Sequence, residues 1–422
     1  MRRLAALVAG IASAASAQVL VDANSAAELL RDLDPQASAS LRCDITPVAP
    51  TLSFSLRFQT GYLVRVPLSQ FHGPGHSISV LLRVTPAGGD RQPVYLLRTF
   101  DLPDVPDTEF NADLAGVFLA GEGGYQSNAI VFDDLHRACR GDWRIEVKTG
   151  RAGRERVVMP ANQVAPISTT GSGGRTSGAY AAVDRMTIFL HAAPLHPKMS
   201  NLQASDVVML TSSLAALLEE LPARAVRLVI FSLEQQKELY RIDGFTSRDL
   251  ERVTHVLDEL QLGLVDYGLL QRSKAQRELL RTLIHREVNE AARADEVIFL
   301  GPDGSEGGAG VSALDAPAPG QHFFYLQYRL SQPPFGANRP ARRMAEVDPS
   351  PPFPCQASST DGCGGSTVSR APLPSAVELP SNTPSAPDAI AGVVRKLKGK
   401  ILAVRTAGDF SKAVDRIGRP GR

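Results

Sequence analysis

The sequence lacks an excess of charge of either sign. Its 422 residues include 45 lysines and arginines against 44 aspartates and glutamates, so the formal net charge is +1 at pH 7. A protein that binds nucleic acid through the phosphates needs a strongly basic surface. The balanced composition therefore argues against nucleic acid as a partner. The one basic run, Arg395–Lys400, is interpreted as part of a helix whose apolar residues face a core.

Long hydrophobic runs are also missing. The apolar run Leu4–Ala12 is well below the ~20 residues that a membrane-spanning helix needs. Two arginines precede this run and the small residues Ala15–Ala17 follow it, which is the pattern of a secretory signal. We therefore expect residues 1–17 to be a signal peptide, Gln18 to begin the mature chain, and the protein to be secreted or periplasmic without a transmembrane segment. The alternative interpretation is a buried N-terminal helix.

Cysteine is scarce, with four in the chain. Cys43 and Cys139 lie near the two ends of a strand-rich region, whereas Cys355 and Cys363 lie in a segment rich in proline, serine and glycine. No histidine accompanies these spacings as a zinc site would require. For an oxidising compartment we expect the disulfides Cys43–Cys139 and Cys355–Cys363; the other pairings and free thiols are the alternatives.

Two kinds of pattern divide the first half of the chain. Residues 41–150 alternate apolar and polar side chains, as in Leu52–Phe58, with glycine and proline between the alternating stretches. This pattern predicts an antiparallel β-sandwich. Residues 22–40 are expected to form a short helical lead with Ser25 as its N-cap. Residues 151–184 are rich in glycine and serine and are predicted to be a flexible linker.

Strand and helix patterns alternate from residue 185 to residue 417. Apolar stretches such as Met186–Leu190 and Glu296–Leu300 have the composition of buried parallel strands, and Asp206–Leu221 has helical periodicity. This alternation predicts a doubly wound α/β domain. Residues 331–387 are rich in proline, serine and glycine and are predicted to be a disordered insertion. The expected fold class is thus all-β followed by α/β.

The order of these elements resembles a von Willebrand factor type A domain. The resemblance covers residues 184–417 without the insertion. It includes the strand Val226–Ser232, the apolar strand and turn Val297–Gly304, and the final strand and helix that begin at Leu397. The resemblance implies a metal-ion-dependent adhesion site at one edge of the sheet.

The ligand positions of that site are altered in this sequence. In the family, an Asp-x-Ser-x-Ser loop after the first strand holds a divalent cation with a Thr and an Asp from two other loops. Here His191 stands at the Asp position, and Ala193 and Leu195 stand at the Ser positions. Asp303 matches the family's second Asp, and Asp266 lies in the loop that would supply the Thr. The resemblance therefore implies a degenerate site that holds neither a metal nor a cofactor.

No other pattern indicates catalysis. His191 and His196 share one loop, but no third metal ligand accompanies them, and we interpret both as ordinary loop histidines. The sequence has no G-x-S-x-G motif, and the glycine-rich Gly301–Gly310 lacks the lysine of a phosphate-binding loop.

These observations predict an exported, non-catalytic protein-binding or scaffold protein. Its partner would be an unidentified protein of the envelope or extracellular space, contacted through the loops His191–Ser200, Gly263–Tyr267 and Pro302–Ser305. The first alternative is an exported hydrolase whose site between domains the sequence does not reveal. The second is a structural component of the envelope.

Overall fold

A computed structural model describes most of the chain outside its N-terminus and the proline-rich insertion. The predicted signal peptide, the insertion 331–387, Cys355, Cys363 and Asp266 lie outside the described residues. The described residues are 18–33, 40–88, 92–103, 110–149, 157–167, 183–196, 199, 201–260, 275–289, 293–304, 314, 316–330 and 388–419.

The N-terminal part consists of strands and one short helix. In chain order these are β1 (Val19–Val21), α1 (Ala23–Asp32), β2 (Asp44–Leu52), β3 (Phe58–Pro67), β4 (Ser77–Pro86), β5 (Val94–Asp101), β6 (Asn111–Ala120), β7 (Gly123–Asp133), β8 (Ala138–Val147) and β9 (Val164–Pro166). One antiparallel sheet has the order β1-β5-β4-β7-β8, and a second has the order β2-β3-β6-β9.

The two sheets share one apolar core, because each alternating strand turns every second side chain inward. Tyr62 and Val64 of β3 belong to the same buried cluster as Val80 and Leu82 of β4. The predicted antiparallel arrangement is therefore confirmed at the level of β-sandwich-like sheets.

The predicted disulfide between Cys43 and Cys139 is also confirmed, with 6.3 Å between the two Cα atoms. It connects the segment before β2 to β8 and closes a loop of 96 residues. In the chain-entropy model, a cross-link across a loop of this length destabilises the unfolded chain by about 4–5 kcal/mol, because it reduces the conformational entropy of that chain.

The beginning of the chain differs from the sequence-based expectation. The sequence predicts Ser25 as the cap of α1, but the N-cap is Asp22, whose carboxylate accepts hydrogen bonds from the backbone N–H groups of Asn24 and Ser25 at 3.0 Å each. The hydroxyl of Ser25 donates to the same carboxylate. Asp22 is the better cap because a carboxylate carries two acceptor oxygens and favours the positive end of the helix dipole.

Short segments on either side of the predicted sandwich add strands to it. β1 lies just before α1 and pairs with β5. β9 lies within residues 151–184, which the sequence predicts to be a linker, and it pairs with β6. β6 itself does not appear in the alternation pattern of the sequence.

The second part alternates strands with helices. In chain order these are β10 (Val183–His191), α2 (Ala204–Glu220), β11 (Ala223–Ser232), β12 (Lys237–Asp243), α3 (Leu250–Asp258), α4 (Ala275–Asn289), β13 (Glu296–Pro302), β14 (His322–Tyr328), α5 (Ala389–Lys396), β15 (Lys400–Val404) and α6 (Ala407–Gly418). The sheet order is β12-β11-β10-β13-β14-β15, and the strand pairs are parallel except for β12, which is antiparallel to β11.

Helices cover both faces of this sheet. Ile188 of β10 belongs to the core that contains residues of α2, α3 and α6, whereas Phe189 faces the core that contains residues of α4 and α5. A sheet buried on both faces explains the continuous apolar runs of its central strands. The predicted combination of an all-β part and an α/β part is thus confirmed. Among the described helices, none is long and apolar enough to cross a membrane.

The loop between β2 and β3 (Ser53–Arg57) joins the two parts. Leu56 at its tip is fully buried in the core that contains residues of α2 and α6, and its backbone has a positive φ of 56°. Phe54 packs its ring 5.5 Å from that of Tyr328. Arg57 forms a largely buried ion pair with Glu219 of α2, with 2.8 Å between nitrogen and oxygen. The β2–β3 loop therefore places a side chain of the sandwich inside the α/β core.

We expect Leu56→Ala to lower the free energy of unfolding by about 2–5 kcal/mol, because it leaves a cavity where the two parts meet. Alanine keeps the same backbone preference as leucine at a positive φ, so the change isolates packing. Urea denaturation monitored by circular dichroism measures the effect. The control is Leu135→Ala. Leu135 is 56% exposed, so we expect this substitution to change the free energy of unfolding by less than about 0.5 kcal/mol. Equal midpoints for both variants would contradict a stabilising role of Leu56.

Candidate functional site

The candidate site lies where the parallel strands β10, β11 and β13 reach their carboxyl ends. His191 is the last residue of β10 and only 1% exposed. Its ring stacks on that of Phe231, with 5.3 Å between the ring centres. Nδ1 lies 3.2 Å from the carbonyl oxygen of Pro302, and Nε2 lies 3.4 Å from Oε2 of Glu234. Because a carbonyl oxygen only accepts, Nδ1 carries a hydrogen and donates to Pro302.

A glycine allows the neighbouring strand to approach the histidine closely. Gly301 of β13 has a φ of 146°, and a Cβ atom on it would lie 2.8 Å from both Cβ and the carbonyl oxygen of His191. Any larger residue there would push β13 away from β10. Gly301 thereby allows the carbonyl of Pro302 to come within hydrogen-bond distance of the buried ring.

Glu234 favours the charged form of the His191 imidazole. Burial by itself lowers the pKa of His191, but the negative charge of Glu234 and the carbonyl of Pro302 outweigh it, so the pKa is raised above its ordinary value. Burial likewise raises the pKa of Glu234, but the charge of His191 outweighs it and the pKa is lowered. The pair therefore joins a buried imidazole to a carboxylate at the surface, because the side chain of His191 is 1% exposed and that of Glu234 is 46% exposed.

A second polar group of the site is the carboxylate of Asp388, at the start of α5. Asp388 caps α5 and accepts hydrogen bonds from the N–H groups of Ile390 at 2.9 Å and of Gly304 at 3.2 Å. The amide of Gln327 donates to the second oxygen of Asp388. Asp388 thus joins β14 and α5 to the turn that follows β13.

Asp303, next to Gly304 in the turn after β13, is exposed. Its pKa is raised by loss of hydration and by the nearby charge of Asp388, with Arg329 opposing the rise. Tyr325 donates a hydrogen bond of 2.7 Å to the carbonyl of Pro302, so this one carbonyl accepts from both Tyr325 and His191. Asp303 and Glu234 are thus exposed carboxylates at this edge of the sheet.

The structure brings only some of the sequence-derived candidates together. His191 and Asp303 lie at the same edge, whereas Ala193 and Leu195 are buried, 3% and 2% exposed. His196 is half-buried and its Nε2 has no hydrogen-bond partner among the described residues.

Sequence reasoning missed Glu234, Gln327 and Asp388. Glu234 was detectable in principle, because it follows β11 by two residues at the edge where ligands bind in open α/β sheets. Asp388 directly precedes a helical pattern, which is the position of an N-cap. Within the described parts of the chain, no three His, Cys, Asp or Glu side chains lie close enough together to hold a metal ion.

The opposite edge of the sheet contains a cleft of about 280 Å³ near the start of β10 and β11. Arg227 lines it and donates a 2.9 Å hydrogen bond to Glu287, a fully buried carboxylate that also accepts from the hydroxyl of Thr187 at 2.8 Å. Arg227 is also paired with Asp243. These charges are engaged with one another and join α4 to β11 and β12, which indicates a structural role.

Comparisons with known proteins leave the family of the chain open. No family model and no curated protein matches it. A solved Northeast Structural Genomics Consortium target, SoR45, is 13% identical over 27% of this chain and 95% of its own, with a TM-score of 0.17. A cycloisomaltooligosaccharide glucanotransferase from Paenibacillus sp., complexed with cycloisomaltoheptaose, is 8% identical over 69% of this chain, with a TM-score of 0.17. The match spans 45% of that enzyme's length. At these TM-scores neither likeness carries an argument.

The ion pair predicts a stability that depends on pH at both ends of a window. The pKa of His191 is raised above 6.5, so its contribution is complete below pH 6.5 and is lost as the pH rises through the folded-state pKa. The pKa of Glu234 is lowered below 4.5, so its contribution is present above pH 4.5 and is lost as the pH falls through the folded-state pKa. We therefore expect the pair to stabilise most between about pH 4.5 and 6.5.

An NMR titration of the His191 ring tests this assignment. Glu234→Gln removes the negative charge, so burial should dominate and the titration midpoint of His191 should fall. The control is Glu259→Gln, which removes the partner of the exposed His255 and should leave His191 unchanged. A midpoint of His191 that is the same in wild type and in Glu234→Gln would refute the ion pair.

Proposed function

We propose that this is an exported, non-catalytic protein-binding or scaffold protein. Its α/β part would be a von Willebrand factor type A-like domain with an adhesion site that has lost its metal. The sheet order, with five parallel strands and one antiparallel edge strand, is compatible with that resemblance. The site lies at the edge of the sheet where ligands bind in open α/β folds. The protein-binding part of the proposal rests on this analogy and on the exposed Asp303.

The observation that carries the proposal is the placement of His191. Where the family has a carboxylate that faces a cation, this chain has a buried imidazolium between Glu234 and the carbonyl of Pro302. A positive ring at this position repels a divalent cation and already satisfies the carboxylate that could bind one. An internal cation would therefore take the place of the metal.

The disulfide supports the export part of the proposal. Disulfides such as Cys43–Cys139 persist in oxidising compartments and are rare in the cytosol. A covalently closed sandwich that also contacts the α/β core suits a protein that works outside the cytoplasm.

We expect Mg²⁺ or Mn²⁺ at sub-millimolar concentration to leave the melting temperature of the purified chain unchanged, because a ligand stabilises only a fold that it binds. Differential scanning fluorimetry with and without each ion, and with EDTA, measures this. A variant that combines His191→Asp, Ala193→Ser and Leu195→Ser restores the family's ligand loop, and a metal-dependent rise in this variant alone would show that the assay detects such binding. A metal-dependent rise in the wild type would contradict the loss of the site.

Capture from the native envelope fraction tests the binding role. The immobilised wild-type chain should retain a specific protein, and Asp303→Arg should lose it, because a reversed charge at the exposed edge opposes a complementary partner. The control is Asp142→Arg, which makes the same change on an exposed position of β8. Retention of the same proteins by all three chains, or of none by the wild type, would count against a partner surface at Asp303.

A further inference from the structure

Three polar groups inside the sandwich have no partners. Gln18 is 7% exposed, and both its side-chain oxygen and its side-chain nitrogen are buried without a hydrogen bond within the described residues. The same holds for the hydroxyl of Tyr62 and for Nε of Arg98. A buried amide that forms no hydrogen bond is costly, so this cluster calls for an explanation.

The three groups are neighbours. In the β1–β5 pairing Val19 lies opposite Leu97, so the register continued by one residue places Gln18 opposite Arg98. Opposed residues of an antiparallel pair project to the same face, about 5 Å apart. Burial raises the pKa of Tyr62, and the nearby positive charge of Arg98 opposes this rise. Arg98 therefore lies beside both Gln18 and Tyr62.

The cluster contains more N–H and O–H donors than acceptors, since only Oε1 of Gln18 and the hydroxyl oxygen of Tyr62 can accept. Arg98 presents N–H groups only, one of which already binds the carbonyl of Ala115 at 2.6 Å. The primary amide of Gln18 adds two more N–H donors, and the hydroxyl of Tyr62 is one further donor. Cleavage after Ala17 would raise the free-energy cost of burying this residue, because it would create a positive α-ammonium next to the cation of Arg98.

We propose that Gln18 is a modification site at which the mature N-terminus closes into a pyroglutamyl lactam. This inference rests on the proposed export. The α-amine attacks the Cδ carbonyl of its own side chain, the bond from Cδ to the amide nitrogen breaks, and that nitrogen leaves as ammonia with the proton of the amine. No oxidant, reductant or co-reactant is needed.

Ring closure removes the positive charge and reduces the number of unpaired donors at the site. The ammonium charge and the two N–H donors of the primary amide disappear, one lactam N–H donor remains, and the lactam carbonyl oxygen is an acceptor for Tyr62 and Arg98. Because Gln18 is buried once β1 pairs with β5, the ring closes before this pairing is complete. The lactam then allows β1 to begin at Val19 without burying an unpaired charge.

Intact-mass measurement and N-terminal sequencing of the exported, purified chain test this step. We expect a chain that begins at residue 18, is lighter by one ammonia than the unmodified form, and resists sequencing. Treatment of the denatured chain with pyroglutamyl peptidase should then expose Val19. A chain that begins at Gln18 with a free amine overturns the lactam alone. A chain cleaved elsewhere overturns the lactam and the predicted cleavage site, and an uncleaved chain overturns the export as well.

A variant separates the chemistry from its structural effect. Gln18→Ala cannot close the ring and keeps its ammonium, so its melting temperature should be several degrees lower than that of the wild type. The control is Asn24→Ala, an exposed position close by in α1, which should leave the melting temperature unchanged. Equal melting temperatures for the wild type and Gln18→Ala, each confirmed by mass to begin at residue 18, would overturn the claim that the ring relieves a buried charge.

Discussion

Burial of the β2–β3 loop in the α/β core is the contact on which the arrangement of this protein depends. Two parts with separate sheets and separate cores would ordinarily move relative to each other. Here Leu56 is fully buried within the second core, and Phe54 contacts the aromatic rings of Tyr328 and Phe410. The positive φ of Leu56 costs free energy, and the burial of its side chain offsets this cost.

At both edges of the α/β sheet, a buried ionisable side chain is paired with a group of opposite charge. At the carboxyl edge the imidazolium of His191 is enclosed by Glu234 and a carbonyl, and at the opposite edge the carboxylate of Glu287 is enclosed by Arg227 and Thr187. Each buried ion has an opposite charge and a hydrogen-bond partner, which is the condition for tolerating it in a core. Both edges also carry an exposed carboxylate: Asp303 at the carboxyl edge, and Asp243, which is paired with Arg227, at the opposite edge.

Prediction from the sequence succeeded where the signal is local. The strands of the sandwich and the central strands of the α/β sheet follow from side-chain periodicity, and one disulfide follows from cysteines near the two ends of the strand-rich region. β6 was missed because its small residues show no clear alternation. It is a strand because it pairs with β3 along its whole length, and Gly116 leaves room for the ring of Tyr62, which would lie 2.1 Å from any Cβ there. The family resemblance of the second part remains a proposal.

The amino-acid sequence by itself determined the class of each part and favoured the Cys43–Cys139 pair over its alternatives, because these properties depend on residue type and spacing. Only the tertiary structure decided that His191 is buried, that Glu234 is its partner, and that the side chain of Gln18 is buried. These facts depend on which distant segments meet and on how much water their contact excludes, and neither quantity is contained in a local pattern of residues.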